Sequence, residues 1–492
     1  MSNPNLLLLT DSYKVTHWKQ YPKGTTNVYS YFESRLGSKF SYTTFFGLQY
    51  FLKKYLTQPI TRENIEEADE FFAAHLGTNT LFNRAGWEHI LREHGGRLPV
   101  SIRAVPEGMA VPISNVLMTI ENTDPKCYWL TNYLETLLVQ TWYPTTVATN
   151  SREARRTIDE FAVLTGGNPA LVPFKLHDFG FRGVSSVESA GIGGLAHLIN
   201  FLGTDTMAAL VCGRDYYHEP MAGFSIPAAE HSTITAWGGP DQEVQAFRNM
   251  ITQFGEGAPG LYATVSDSFD IYRACSELWG KELREAVLAA SNTLVVRPDS
   301  GYPPQVVVAV LRRLGEAFGT YENKAGFKNL NDKVRVIQGD GVDLETIHDV
   351  LENMKNDGWS TDNIAFGMGG ALLQKLNRDT QRFAFKCSSI IRDGKEQEVY
   401  KDPATDHTKV SKAGRLSLIY KPTAHGTVVP HTVRTNTINP QADLLAEVFR
   451  NGELLMDCSL AEVRERAKIG PAEERAHIER LERRYYEYGA NL

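Results

Sequence analysis

Val334-Arg335-Val336-Ile337-Gln338-Gly339-Asp340-Gly341 and Ile364-Ala365-Phe366-Gly367-Met368-Gly369-Gly370 are the two stretches that decide the fold. Each is a β-branched or aromatic run that ends in glycine. A helix-like run over 372–376 follows the second, with Arg378 beside it. Strand, glycine turn and helix start together make a geometry that holds phosphate. Glycine lets the backbone come close, the helix N-terminus offers free N–H groups, and its dipole favours an anion. Two such turns, late in a run of βα units, match the phosphate-binding end of an α/β barrel. The pair points to an enzyme acting on a phosphorylated small molecule; either turn alone reads equally well as an ordinary Gly-rich connection.

Working outward, the middle of the chain alternates. Strand-like runs fall at 173–176, 198–201, 224–226, 261–265, 293–296, 334–337, 363–366 and 383–385. Amphipathic stretches over 242–254, 269–278 and 305–318 separate several of them. That is the rhythm of a parallel sheet or barrel, and eight runs match a barrel count. The flanks differ. Short extended runs over 103–121 are broken by Pro106, Gly108 and Pro112, and 127–141 reads as a helix. Short strands return at 398–400, 416–420 and 426–429, and Ser459-Leu460-Ala461-Glu462 has capping-box spacing at the head of a C-terminal helix. The expected class is α/β: an irregular (β/α) barrel over 151–383. A mixed, mainly antiparallel β domain flanks it, built from both chain ends, 1–150 and 384–492.

A chain of 492 residues is too long for one compact core, which supports two domains. The net charge of −7 excludes a general nucleic-acid binder, which needs a basic face. Cys127, Cys212, Cys275, Cys387 and Cys458 are scattered and never form a C-x-x-C pair. They read as reduced, small buried hydrophobes, with no sign of a structural zinc site in their spacing. The 6–9 leucine run is too short for a signal peptide, and no stretch approaches a membrane span. The expectation is a cytoplasmic protein with no nucleic-acid and no membrane partner.

Functional groups of an α/β barrel sit at the C-terminal ends of its strands. Here those positions read His177-Asp178-Phe179-Gly180-Phe181-Arg182, then Gly203-Thr204-Asp205-Thr206, then Pro227-Ala228-Ala229-Glu230-His231-Ser232. Ser266-Asp267-Ser268 and Arg297-Pro298-Asp299-Ser300-Gly301 follow, before the two glycine turns. Two arginines, a histidine and several carboxylates suit a doubly anionic substrate held by guanidinium forks. The carboxylates are left for sugar hydroxyls or Mg²⁺. His231 is the sharpest candidate, as an acid, a phosphate ligand or a phosphoryl acceptor. The last role needs a carboxylate to orient the ring, from Asp267 or Asp299; a histidine simply bonded in a turn is the alternative. Asp205 suits an amide-bearing substrate or a helix cap. Phe179 or Phe181 suits an aromatic base or core packing.

Taken together, Thr10-Asp11-Ser12-Tyr13-Lys14, Tyr31-Phe32-Glu33-Ser34-Arg35 and the runs 175–186, 203–206, 228–238, 297–301, 338–343 and 372–379 resemble one family. The chain is similar to the nicotinamide phosphoribosyltransferases from about residue 6 to about residue 460. The resemblance implies transfer of phosphoribosyl from phosphoribosyl pyrophosphate to nicotinamide, giving nicotinamide mononucleotide and pyrophosphate. It implies Arg182, His231 and Arg297 at the pyrophosphate, Asp299, Gly339 and Asp340 at the ribose, and Gly369, Gly370 and Arg378 at the 5′-phosphate. The base would lie between Phe179 and Tyr13, the latter coming from the other subunit of a homodimer with shared active sites. Arg35, Lys386, Lys401 and Lys409 match basic positions near the phosphates. Mg²⁺ is the implied cofactor, its ligands left open, and ATP the coupled co-substrate that phosphorylates His231. An Asp205 carboxylate would favour nicotinamide over nicotinic acid. The nearest alternatives are a nicotinate phosphoribosyltransferase and a catalytically silent interaction protein of the same fold. Met368 departs from the family's small residue in the glycine turn, and 213–220 and the tail after Glu462 are less family-like.

Overall fold

The computed structural model describes residues 4–405, 410–423 and 426–468. They fall into two compact units. The first comprises the chain up to Thr149, Arg214–Glu219 and the part that begins at Leu376; the second comprises Asn150–Gly213 and Pro220–Lys375. The barrel was expected over 151–383; the second unit stops at Lys375 and leaves 214–219 to the first.

The second unit is built on a parallel sheet. Its strand order is Gly203–Thr204, Leu176–Asp178, Ile364–Met368, Val334–Gln338, Thr293–Arg297, Leu261–Val265. Both edges are tied to one irregular segment. Phe224 N–H donates to Leu202 O at 2.7 Å and Thr204 N–H to Phe224 O at 3.0 Å. On the other edge Ala263 N–H donates to Pro227 O at 2.8 Å and Ala229 N–H to Ala263 O at 2.9 Å. The segment 224–229 thus closes the sheet on itself without forming a regular strand, since Pro227 has no N–H to give. Inside, Ala263, Val295 and Ile337 pack with Phe179, Ile226 and Ala365. Strands covered on both faces read as continuous apolar runs, which explains Thr-Leu-Val-Val-Arg over Thr293–Arg297. Helix Pro303–Phe318 shows how the outer layer is attached. Proline opens it, and Val307, Val310, Leu311, Leu314 and Phe318 are buried at three- and four-residue spacing.

Four of the eight expected runs depart from expectation: 224–226 keeps its place without forming a strand, and three land elsewhere. Pro169–Phe174 coils into a 3₁₀ helix, so the first strand starts only at Leu176. Residues 198–201 close helix Val187–His197, and the strand is Gly203–Thr204. Leu198 and Phe201 are buried, which explains their apolar character without a strand. The run at 383–385 enters strand Ala384–Arg392 of the first unit and is no part of the barrel.

In the first unit a seven-stranded antiparallel sheet runs in the order Lys395–Glu398, Ala384–Arg392, Thr25–Glu33, Val116–Asn122, Val100–Ala104, Ala446–Arg450, Glu453–Leu454. Both chain ends contribute, as expected of the flanking domain. In place of one helix over 127–141 there are two single turns, Leu130–Tyr133 and Glu135–Leu138, and a 3₁₀ turn Val139–Thr141. The capping box is present: Ser459 N–H donates to Glu462 Oε2 at 2.8 Å and Glu462 N–H to Ser459 Oγ at 3.3 Å, opening helix Leu460–Lys468. All five cysteines are unbridged; Cys127, Cys212 and Cys275 are buried and the other two partly so. Among the described residues no helix is long and apolar enough to cross a membrane.

Candidate active site

Because all six strands of the parallel sheet point the same way, their C-terminal ends meet on one rim. Strand Leu176–Asp178 ends on a buried carboxyl, and Asp178 Oδ1 accepts the Gly180 N–H at 2.7 Å, folding the chain back after Phe179. Burial pushes this carboxyl up to about 6, against the opposing hydrogen bonds from Gly180, Thr206 and Thr204. The Phe179 ring lies over Gly367, where a Cβ would come within 1.9 Å of Cε2. Only glycine leaves that space. The neighbouring Met368 is fully buried and does not line the cavity, so its bulk does not fill the turn. Gly369 then caps a single helical turn, Gly370–Leu373, in an uncommon conformation at φ −99° and ψ −106°.

Strand Thr293–Arg297 delivers the densest cluster. Asp267 Oδ2 accepts the Asp299 N–H at 2.9 Å and the Ser300 hydroxyl at 2.6 Å, which fixes the loop. Arg297 Nη2 reaches Asp299 Oδ2 at 3.3 Å. Asp267 Oδ1 and Arg297 Nε are buried without a hydrogen-bond partner. A Cβ on Gly339 would stand 3.0 Å from Asp299 Oδ1 and 3.2 Å from Arg297 Cδ, so the first glycine turn lies tight against this cluster. Gln338 Nε2 donates to Asp340 O at 2.8 Å and holds that turn, in which Gly341 has φ 67°.

His231 begins helix His231–Thr235. Its Nδ1 is 3.0 Å from Ser268 Oγ, and its Nε2 is 3.4 Å from Asp299 Oδ2 and 3.8 Å from Asp267 Oδ1. Both carboxylates proposed to orient the ring are therefore beside it. Asp205 accepts a hydrogen bond from the Ser225 hydroxyl through Oδ1.

A cavity of about 850 Å³ opens at this rim, lined by Phe179, Arg182, Asp205, Arg297 and Asp299, and by Gly339, Asp340, Gly369 and Gly370. That volume fits a nucleotide-sized ligand. His231 and Asp267 do not line it, though both contact Asp299. Two polar lining side chains that the sequence reading did not single out are Lys375 and Ser225. Lys375 is exposed at the mouth, and its signal was a cation five residues beyond Gly370; Ser225, which holds Asp205, had none.

The remaining candidates belong to the first unit. Tyr13 is 60% exposed, edge-on to His17 at 5.2 Å, with the Lys14 ammonium 5.3 Å from its ring. Arg35 Nε donates to Arg382 O at 3.1 Å, and Arg378 Nη2 lies 3.3 Å from Asp379 Oδ1. Lys386, on strand Ala384–Arg392, has its pKa lowered by partial burial; Glu135 opposes this, and the charges of Arg35, Lys401 and Arg378 add to it. Four cations from four places in the chain thus share one neighbourhood. Lys409 lies outside the described residues.

The N-terminal part matches the family model described as nicotinamide phosphoribosyltransferase, N-terminal domain, over residues 5–102. Residues 174–453, which include the whole parallel sheet, match the nicotinate phosphoribosyltransferase (NAPRTase) family. A nicotinamide phosphoribosyltransferase of Xanthomonas campestris pv. campestris is 51% identical over 472 residues, covering 94% of this chain and 98% of that protein. The chain belongs to the nicotinamide phosphoribosyltransferase family. A second family member, from Acinetobacter baylyi, is 31% identical and covers 94% of this chain and 97% of its own length. The family fold extends to solved structures at 17% identity. These are a nicotinate-nucleotide pyrophosphorylase from Pyrococcus furiosus (TM-score 0.59, 95% of this chain and 96% of that one) and human nicotinic acid phosphoribosyltransferase (TM-score 0.56, 94% and 93%). At that identity the likeness carries the fold and nothing finer. Within the family, the nicotinamide phosphoribosyltransferase N-terminal model covers Tyr13 and Arg35, and the NAPRTase model covers every rim residue described above.

Proposed function

We propose that the protein transfers phosphoribosyl from phosphoribosyl pyrophosphate to nicotinamide, a pentosyltransferase step of NAD biosynthesis. The observation that carries this reading is the single cavity in which an aromatic ring, Phe179, and a carboxylate, Asp205, share a wall with Arg297, Asp299 and the two glycine turns. The pyridine nitrogen attacks C1 of the ribose, the bond from C1 to the diphosphate oxygen breaks, and the electron pair leaves with pyrophosphate. Positive charge develops on the sugar and then the pyridinium ring, negative charge on the leaving group. Arg182 and Arg297 receive the diphosphate. Asp299 and Asp340 hold ribose hydroxyls, with Gly339 allowing the sugar to approach. The Gly369 and Gly370 amides grip the 5′-phosphate. Phe179 stacks on the base, and Asp205 accepts from its carboxamide NH₂ and repels the carboxylate of nicotinic acid, which favours nicotinamide over nicotinate.

Mg²⁺ fits the same cluster: Asp267 Oδ1 is buried without a hydrogen-bond partner beside Asp299, and oxygen donors of this kind would hold the ion, which would supply positive charge to offset the diphosphate. ATP is the proposed co-substrate. A His231 nitrogen attacks its γ-phosphorus, ADP leaves, and water later releases phosphate; Asp267 and Asp299 keep the ring in place for both steps. The exposed Tyr13 and the cations Arg35, Arg378, Lys386, Lys401 and Lys409 are proposed to serve the base and phosphates in a cytoplasmic homodimer with shared sites. Mixing Tyr13→Ala with His231→Ala subunits should restore part of the activity that each lacks alone; no recovery would count against sharing. The direct test is one incubation with nicotinamide, phosphoribosyl pyrophosphate and Mg²⁺, with and without ATP. Nicotinamide mononucleotide should form, and more should accumulate with ATP. Product only from nicotinic acid would overturn the reading.

A further inference from the structure

Far from the cavity in sequence, four metal-ligating side chains converge within the first unit. His89 and His94 lie on helix Arg84–His94; Asp124 caps the 3₁₀ turn Pro125–Cys127, which ends in Cys127. We propose that His89, His94, Asp124 and Cys127 form a binding site for a zinc-like divalent cation.

The geometry is that of ligands gathered around one point. Ligand atoms of His89, Asp124 and Cys127 all lie within 4.8 Å of one another. Asp124 Oδ2 faces His89 Nε2 at 2.7 Å and His94 Nε2 at 2.8 Å. Tetrahedral zinc, with metal–nitrogen near ~2.0 Å and metal–sulfur near ~2.3 Å, sets its ligand atoms about 3.2–3.7 Å apart. His94 joins the trio of His89, Asp124 and Cys127 through Asp124 Oδ2. The supporting bonds hold Asp124 in place. Its Oδ1 accepts the Lys126 N–H at 2.8 Å, and its carbonyl accepts Asn122 Nδ2 at 2.8 Å and the Cys127 N–H at 2.9 Å. Only Oδ2 is left to face the two imidazoles. A metal ligand fixed by a second layer of hydrogen bonds is the usual construction of such sites.

The environment agrees. Cys127 is fully buried, and the side chains of His89, Asp124 and His94 are 12, 17 and 26% exposed, so His94 leaves an entrance. One carboxylate, one thiolate and two neutral imidazoles sum to −2, which a divalent ion cancels. Nitrogen, oxygen and sulfur together suit borderline-soft zinc and not Mg²⁺. Cysteine spacing carried no hint of this site, because it uses a single thiol and a histidine pair five residues apart.

Binding needs no redox partner. The Cys127 S–H bond breaks, its proton goes to solvent, and sulfur donates to the metal. Each imidazole gives up the Nε2 proton that now faces Asp124 Oδ2 and takes one on Nδ1 from solvent, so its tautomer changes without net loss, and above neutral pH the thiol proton is the one that leaves per ion bound.

The test uses the full chain, stripped with a chelator, and Co²⁺ alone as probe. One Co²⁺ per chain should bind, giving the strong visible absorption of a tetrahedral ion and a thiolate-to-cobalt band in the near ultraviolet. Zn²⁺ should bleach both, with one proton released per ion in weakly buffered solution. Cys127→Ala should lose the near-ultraviolet band and weaken Zn²⁺ binding about tenfold or more, while His89→Gln should abolish the visible band. Thermal unfolding of each metal-free variant checks that it is folded. Absence of the cobalt spectrum in the folded wild type, or an unchanged spectrum in folded Cys127→Ala, overturns the site and leaves a hydrogen-bonded clamp between helix and turn.

Discussion

The two sheets gather their functional side chains by different geometries. In the parallel sheet, strands Leu176–Asp178, Thr293–Arg297, Val334–Gln338 and Ile364–Met368 all end on one rim, so the residue after each strand is delivered to the same place. In the antiparallel sheet neighbours run oppositely. The end of Thr25–Glu33 pairs with the start of Ala384–Arg392, Glu33 opposite Ala384 and Tyr31 opposite Lys386. That register brings Arg35 close to Lys386 across 351 positions of sequence, with Arg378 and Lys401 on either side along the chain. A rim built from strand ends concentrates groups of mixed charge and fixed direction. A face built across strands collects like charges, which attract an anion without orienting it.

Substitutions on the two sides should therefore differ in kind. Arg297→Ala removes the guanidinium proposed to receive the leaving group and should lower kcat/KM by about 10³-fold, with partial recovery in Arg297→Lys. A loss under tenfold would remove the rim from the chemistry. Gly367→Ala places a methyl where the Phe179 ring stands and should raise KM for nicotinamide about 30-fold, costing about 1–3 kcal/mol of stability as the ring is displaced. Normal nicotinamide binding would show that Phe179 does not carry the base.

Asp178 tests the rim through pH. Its folded carboxyl titrates at about 6, above the unfolded value, because burial disfavours the charge. The stability it contributes is complete below about pH 4 and is lost as pH rises through 6. Asp178→Asn mimics the neutral form. In urea titrations it should be more stable than wild type by about 1–3 kcal/mol at pH 8 and equal to it at pH 4. Equal stability at both would mean the charge is compensated in the fold.

On the other side, Lys386→Ala should raise KM for phosphoribosyl pyrophosphate about tenfold at low salt, and less as salt screens the cluster, with KM for nicotinamide unchanged. A salt-independent effect would make Lys386 a directional ligand like those on the rim. The smallest change is expected for Asp205→Asn, a shift of about fivefold in preference towards nicotinic acid in a competition between the bases. An unaltered ratio would move base selection away from Asp205.

Strands Leu261–Val265, Thr293–Arg297, Val334–Gln338 and Ile364–Met368 were legible because buried parallel strands read as apolar runs whatever surrounds them. Gly203–Thr204 was not, since two residues are too few for any period to show. The run at 224–226 showed its place in the sheet but read as a strand, whereas 224–229 closes the sheet with four backbone bonds and no regular pattern. His231, Asp267 and Asp299 could be suspected from their places after strands; the 3.4 and 3.8 Å separations could not. The run at 383–385 looked like a barrel strand because a buried antiparallel strand start is just as apolar as a parallel one.

Local chemistry along the chain was enough to set the strand ends, the glycine turns and the identity of the groups that follow them. Whatever depends on distant segments was decided by the fold: the closure through 224–229, the cations around Lys386, and the meeting of His89 and His94 with Asp124 and Cys127. Periodicity and turn preference act over a few residues and leave a mark in the sequence. Register between strands far apart in the chain leaves none, because it is settled only when their side chains compete for the same core.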